Sequence, residues 1–283
     1  MKIILSDGRK LAYDLVGDRD GTPVFYFHGS NGSRIEARWF EAEAKEAGIC
    51  IIATDRPGFG LSYPAPNRTL KSWAIDVAEL ADHLQLQHIK VIGLSGGGPH
   101  ALAVAHEMAD RVAACAVVSS LAPPNAKVPW TGMFPVVRML LWSAKWFPAL
   151  NRFLLKRMLA FYAKPQKMRT QMVVRLPEPD KKLLLRRPEI VDIFALDAKE
   201  AHRQGVSADA QEWRLYVENW GFDPANIRVP VSLWYGLHDV MVPIQMGRYY
   251  KEAIPDALLH EVEDGAHFST INNYFTAICA ELN

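Results

Sequence analysis

Cysteine is scarce in this chain. Its three cysteines, Cys50, Cys115 and Cys279, lie far apart in apolar stretches and form no C-x-x-C pair. Such a set supplies neither a disulfide framework nor a zinc site, and it reads as reduced core residues of a cytoplasmic protein. Net charge is equally scant: the formal value of +1 gives no global pull toward nucleic acid, and none is expected as a partner. A long hydrophobic run is missing too. The N-terminus, MKIILSDGRK, turns polar at Ser6 and Asp7, too soon for a secretory signal. The most apolar stretch, around residues 128 to 150, is broken by Arg138, Lys145 and several prolines, so no membrane span is expected. The chain carries no H-E-x-x-H or H-x-x-E-H helix, and no G-x-G-x-x-G opens the first strand-to-helix turn. Neither a metal nor a nucleotide cofactor is therefore expected.

What is present is an ordinary globular composition, with 49% apolar and 22% charged residues, which excludes a disordered or fibrous chain. The segment IILSDGRKLAYDLVG alternates on either side of Asp7-Gly8 and predicts an opening antiparallel hairpin. The runs PVFYFHG, CIIATD, KVIGLS, RVAACAVVSS, PVSLWYG and ALLHEVE are short and almost continuously apolar, as suits parallel strands covered by helices on each side. Helix-like pieces, such as 35 to 47 and 70 to 84, separate them. The rhythm stops between Pro123 and about Ser207, where amphipathic helical pieces are punctuated by prolines. These features predict an α/β fold: a mostly parallel eight-stranded sheet with helices on both faces, and an inserted helical cap. The core is assigned to residues 1–122 and 207–283, the cap to 123–206.

The insertion differs electrically from its host. Residues 121 to 215 hold roughly 17 Lys plus Arg against 8 Asp plus Glu, about +9, which leaves about −8 elsewhere. Outer helices carrying solvated charge explain this plainly. The sharper reading is a basic lid, rich in Trp, Phe and Met, that attracts anionic amphiphiles or a membrane surface.

One stretch carries chemistry. In KVIGLSGGGPHALA, residues 90 to 103, Gly93-Leu94-Ser95-Gly96-Gly97 satisfies G-x-S-x-G between a predicted strand and a predicted helix. A tight strand-to-helix turn forces the serine into strained dihedrals, so the residues two before and two after it must be tiny, and both are glycine. The turn leaves the hydroxyl at a helix N-terminus, where N–H groups and the dipole favour developing negative charge. A plain helix cap would not require glycine in the first turn.

With FYFHGSNGS, TDRPGFGLS, GLHDVMVP and DGAHF following successive strands, the sequence resembles the α/β-hydrolase fold superfamily over nearly its whole length. The resemblance implies the serine-nucleophile branch with a helical cap. A serine hydroxyl needs a base, and the base needs an orienting group. Among nine histidines, His267 follows the last strand in a glycine-containing loop and is the expected base. Asp239 occupies the loop position the superfamily uses for the acid, and the order Ser95, Asp239, His267 is the order this fold implies. Asp264 is the rival. His28 is expected to shape the oxyanion loop, and His100 to pack one turn beyond the nucleophile. The oxyanion hole is expected to combine the N–H groups of Gly96 and Ser30. HGSNGS departs from the HGGG form of some lipases and esterases, which disfavours crowded acyl or alcohol carbons. Arg56 of DRPGFGLS is read as structural, pairing with Asp55 or with a neighbouring loop; facing a substrate carboxylate is the alternative.

Serine rather than aspartate at the turn implies acyl transfer to water through an acyl-enzyme. The leading reading is a hydrolase of small carboxylic esters, with Trp130, Phe134, Trp142, Trp146 and Phe161 as candidate pocket-lining residues under the cap. An acyl-homoserine lactonase or a carbon–carbon bond hydrolase would use the same three residues. A hydrolase-like receptor that turns its ligand over slowly is the alternative from another class.

Overall fold

The opening alternation becomes a hairpin. In a computed structural model, which describes residues 1–162, 164–171 and 173–282, β1 (Lys2–Ile4) and β2 (Lys10–Gly17) pair antiparallel with Ile3 opposite Leu11. The apolar runs become β3 (Thr22–Phe27), β4 (Ile49–Thr54), β5 (Ile89–Leu94), β6 (Val112–Val118), β7 (Val231–Gly236) and β8 (Leu258–Val262). They join one sheet in the order β1-β2-β4-β3-β5-β6-β7-β8; β2 runs antiparallel to β4, and every later pairing is parallel.

Near-continuous hydrophobicity is explained by burial on both faces. Phe25 and Phe27 of β3 point into one apolar cluster while Val24 and Tyr26 point into the other. Each fully buried phenylalanine contributes roughly 1.5–3 kcal/mol. The helices that cover the sheet are α1 (Glu41–Glu46), α2 (Ser72–His83) and α3 (Gly98–Glu107) before the insertion. The predicted helix over 35 to 47 is divided: a 3-10 stretch, Arg34–Phe40, capped by the Ser33 hydroxyl, precedes α1.

Between β6 and β7 stand α4 (Pro135–Trp146), α5 (Pro148–Tyr162), α6 (Pro165–Gln171), α7 (Glu178–Arg186), α8 (Glu189–Ala201) and α9 (Ser207–Val217). Prolines sit where helices start, at Pro135 and Pro148, because a first-turn N–H has no intrahelical partner to lose. The helix beginning at Ser207, assigned to the core on sequence, has contacts on both sides: α9 packs on α4 and α5, yet sends Glu212 to Arg56 and Tyr216 to Gly96. The chain closes with α10 (Ile244–Ala253) and α11 (His267–Glu281). Among the described residues, no helix is long and apolar enough to cross a membrane.

Candidate active site

The turn after β5 shows why its glycines are glycines. A Cβ at Gly93 would lie 2.6 Å from the Gly97 carbonyl oxygen, and one at Gly97 would lie 2.0 Å from that of Phe27. Larger residues would therefore break the contact between the turn and β3. Ser95 itself adopts φ 51°, left-handed backbone that costs a non-glycine residue about 1–3 kcal/mol. This strain holds the serine at the joint between β5 and α3, facing the cavity described below.

The expected base and acid meet across two loops. His267, the first residue of α11, is buried, and its Nδ1 lies 2.8 Å from Asp239 Oδ2. Asp239 is fixed in turn by the N–H groups of Met241 and Val242, which donate to Oδ1 at 2.7 and 2.8 Å. Burial alone would push the imidazole pKa down; the Asp239 carboxylate overrides it and leaves His267 above the ordinary 6.5. The rival Asp264 is turned away, accepting a hydrogen bond from the Tyr274 hydroxyl at 2.8 Å on the surface.

Ser95 and His267 open on one cavity of about 150 Å³. Its roof comes from Phe134, Val137 and Leu140 around α4, Met158 of α5 and Phe194 of α8 in the insertion, together with Trp213 of α9. Among the described residues, no lysine or arginine lines it. The Ser95 hydroxyl makes no hydrogen bond among the described residues. Ser30 borders the same cavity, and its Oγ lies 2.4 Å from where a Gly96 Cβ would stand, so these two residues adjoin. No loop or turn carbonyl takes the N–H of Ser30 or of Gly96 among the described residues.

The predicted lining needs correction. Of the five aromatic candidates only Phe134 borders this cavity. Trp142 and Trp146 lie on the outward face of α4, 45% and 61% exposed, because Leu140, Leu141 and Ala144 already occupy its inner face. Trp130 borders a separate pocket of about 320 Å³ with Lys127 and Lys145. Phe161 is partly buried against the apolar cluster that also holds Val24 and Tyr26, its ring 6.1 Å from that of Tyr162.

Arg56 takes the neighbouring-loop alternative. It donates to the carbonyls of His28 and Gly29 at 2.6 and 3.3 Å and pairs with Glu212 at 2.6 Å, while Asp55 pairs with Arg34 at 2.7 Å. Burial opposes charge on Glu212, but Arg56 and Arg68 hold its pKa well below the carboxylate range. His28 and His100 are buried and held neutral: burial lowers His100 to about 3 and His28 well below its ordinary value. His100 Nδ1 lies 3.1 Å from the Gly96 carbonyl oxygen, a packing role.

Four polar residues of the site were invisible in the sequence. Glu36 accepts the Gly29 N–H at 2.8 Å and the Tyr26 hydroxyl at 2.7 Å through one oxygen, and burial raises its pKa to about 7. Asp197 of α8 accepts the Ser33 N–H at 2.8 Å and the Ser33 hydroxyl at 2.6 Å, which ties the insertion to the loop holding Ser30. Tyr216 donates to the Gly96 carbonyl at 3.1 Å. Asp180 of α7 accepts the N–H groups of Phe268 and Ser269 at 3.0 and 2.8 Å, anchoring the helix start that carries His267. In the sequence, Asp180 is indistinguishable from a first-turn acid favoured by its own helix dipole.

Residues 22–274 match the family described as alpha/beta hydrolase fold. Among curated relatives, the uncharacterized hydrolase YcgS of Bacillus subtilis is 25% identical over 274 residues, covering 94% of this chain and 91% of that protein. Among solved structures, an esterase from Exiguobacterium antarcticum superposes with a TM-score of 0.72 at 20% identity, covering 99% of this chain and 98% of that one. An enol-lactonase from Burkholderia xenovorans LB400 has a TM-score of 0.69 at 20% identity, covering 100% and 99%. These likenesses speak for the fold.

Proposed function

The chain belongs to the alpha/beta hydrolase fold family, and from that premise we propose that it is a serine hydrolase of small carboxylic esters, working through an acyl-enzyme. One observation carries the reading: His267, whose Nδ1 lies 2.8 Å from Asp239, opens on the same cavity as a serine held in left-handed backbone.

Ser95 Oγ attacks the ester carbonyl carbon as its proton passes to His267 Nε2. Asp239 holds Nδ1–H, fixes the tautomer and stabilises the imidazolium. The carbonyl oxygen, now negative, receives the N–H groups of Ser30 and Gly96; losing one such donor typically costs about 10²–10³ in rate. Collapse of the tetrahedral intermediate expels the alcohol, which takes the proton from His267. Water then attacks the acyl-serine, giving its proton to the same imidazole, and the acid leaves as Ser95 regains its hydrogen. No metal or cofactor takes part in these steps.

The cavity suits a small, uncharged acyl group. It is apolar, and it offers no cation to a second carboxylate. A panel of p-nitrophenyl esters of rising chain length, run beside acyl-homoserine lactones, tests the substrate class. Fast multiple turnover on short neutral esters is expected, with Ser95→Ala inactive. One slow turnover followed by a stable complex would instead establish a ligand receptor.

A further inference from the structure

A helix that roofs a cavity with one face ordinarily shows water a polar face on the other. α4 departs from this. Opposite its buried Leu140, Leu141 and Ala144 stand Met139, Trp142 and Trp146, spaced three and four residues apart on one exposed stripe. The stripe continues around the corner into α5: the Phe147 ring lies 4.8 Å from that of Trp142, and Phe153 beyond it is 58% exposed. Isolated exposed hydrophobics are normal on a protein surface, but a contiguous aromatic face marks a contact.

Charge says which contact. Arg138, Lys145, Arg152, Lys156 and Arg157 are exposed around the stripe, and none of them pairs with a carboxylate among the described residues. Lys145 Nζ sits over the Trp146 ring, 5.2 Å from its centroid. No aspartate or glutamate occurs anywhere between Asp110 and Glu178. We propose that the outer face of α4 and α5 docks on anionic phospholipid, with Trp142, Trp146, Phe147 and Phe153 entering the headgroup region and the flanking cations meeting lipid phosphates and carboxylates. A second copy of the chain fits this face poorly, because a two-fold contact would bring the same cations together with no carboxylate between them. Neither helix is long and apolar enough to span a bilayer, so the protein lies on the surface. Docking there sets the roof of the Ser95 cavity against a phase in which apolar esters concentrate. The proposal rests on this face alone and not on the chemistry assigned to Ser95.

Flotation of the full chain with phosphatidylcholine vesicles, with and without phosphatidylserine, tests it. Binding is expected only with phosphatidylserine, weakening as salt is raised. The exposed double variant Trp146→Ser, Phe147→Ser is expected to lower the partition coefficient at least about tenfold. The pair Arg152→Gln, Lys156→Gln is expected to lower it about fivefold per cation. Both variants should keep hydrolysis of a soluble short ester, and Ser95→Ala should float like the parent chain, so a failed ester assay leaves the docking result standing. Absence of phosphatidylserine-dependent flotation, or flotation indifferent to both variants, would overturn the proposal. So would a dimer in sedimentation velocity that Trp146→Ser, Phe147→Ser dissolves while vesicles bind neither form.

Discussion

At the strand ends, a Cβ on Gly97 would come within 2.0 Å of a backbone oxygen, and one on Gly93 within 2.6 Å; in the insertion, a Cβ on Gly132 would meet nothing within 4 Å. In the first region glycine is set by the close approach of neighbouring backbone; at Gly132 it is set by a left-handed φ of 87° alone, with no neighbour crowding it. The loops of the candidate site are held against neighbouring backbone, so their residue types follow from geometry. The insertion is fixed only by which face of each helix turns inward, so many sequences satisfy it. Charge follows the same division, with the insertion basic and its host acidic.

That comparison can be broken at four points. The largest effect is expected at the strand ends: Asp239→Asn should lower ester kcat by about 10⁴ by favouring the wrong imidazole tautomer, whereas the exposed Asp264→Asn should leave it unchanged. The reverse result in steady-state kinetics would move the acid to Asp264.

A second test sits where the two regions touch. Burial holds the Glu36 carboxyl protonated beside Asp197 of α8, with Tyr26, Arg56 and His267 also bearing on it. An acid whose pKa is raised in the native state, here to about 7 from an ordinary 4.5, keeps its stabilising share below the lower value and loses it as pH rises through the higher. Stability is therefore expected to fall as pH rises between those two values, and Glu36→Gln should flatten that slope in denaturant titrations. An unchanged slope would place the proton elsewhere.

Third, Asp180→Ala leaves the N–H groups of Phe268 and Ser269 unpaired, at a cost of about 1–3 kcal/mol. Thermal unfolding should report that loss, and kcat should fall with KM unchanged because the start of α11 carries His267. The smallest effect divides the insertion itself. Phe134→Ala should raise KM for a short ester about tenfold, while Trp130→Ala, in its separate pocket, should not.

Much of the fold was legible because parallel strands buried on both faces leave long apolar runs, and because the Ser95 turn tolerates so few residues. The pairing of Asp239 with His267 was legible by position, each lying in a loop at a strand's carboxyl end. Glu36, Asp180, Asp197 and Tyr216 were not, since each serves a backbone group far away in the chain; Tyr216 and Gly96 are 120 residues apart. Such partners carry no local pattern. The aromatic lining failed for a related reason: Phe134 and Trp146 look alike in a basic amphipathic segment, and only the packing of α4 against α9 decides which side is inward.

The central claim is that Ser95 is the nucleophile of this cavity. Fluorophosphonate treatment followed by peptide mass spectrometry tests it most directly. A single adduct on Ser95, abolished in His267→Ala, is the predicted result; an adduct on another residue, or none on the folded active protein, would contradict it.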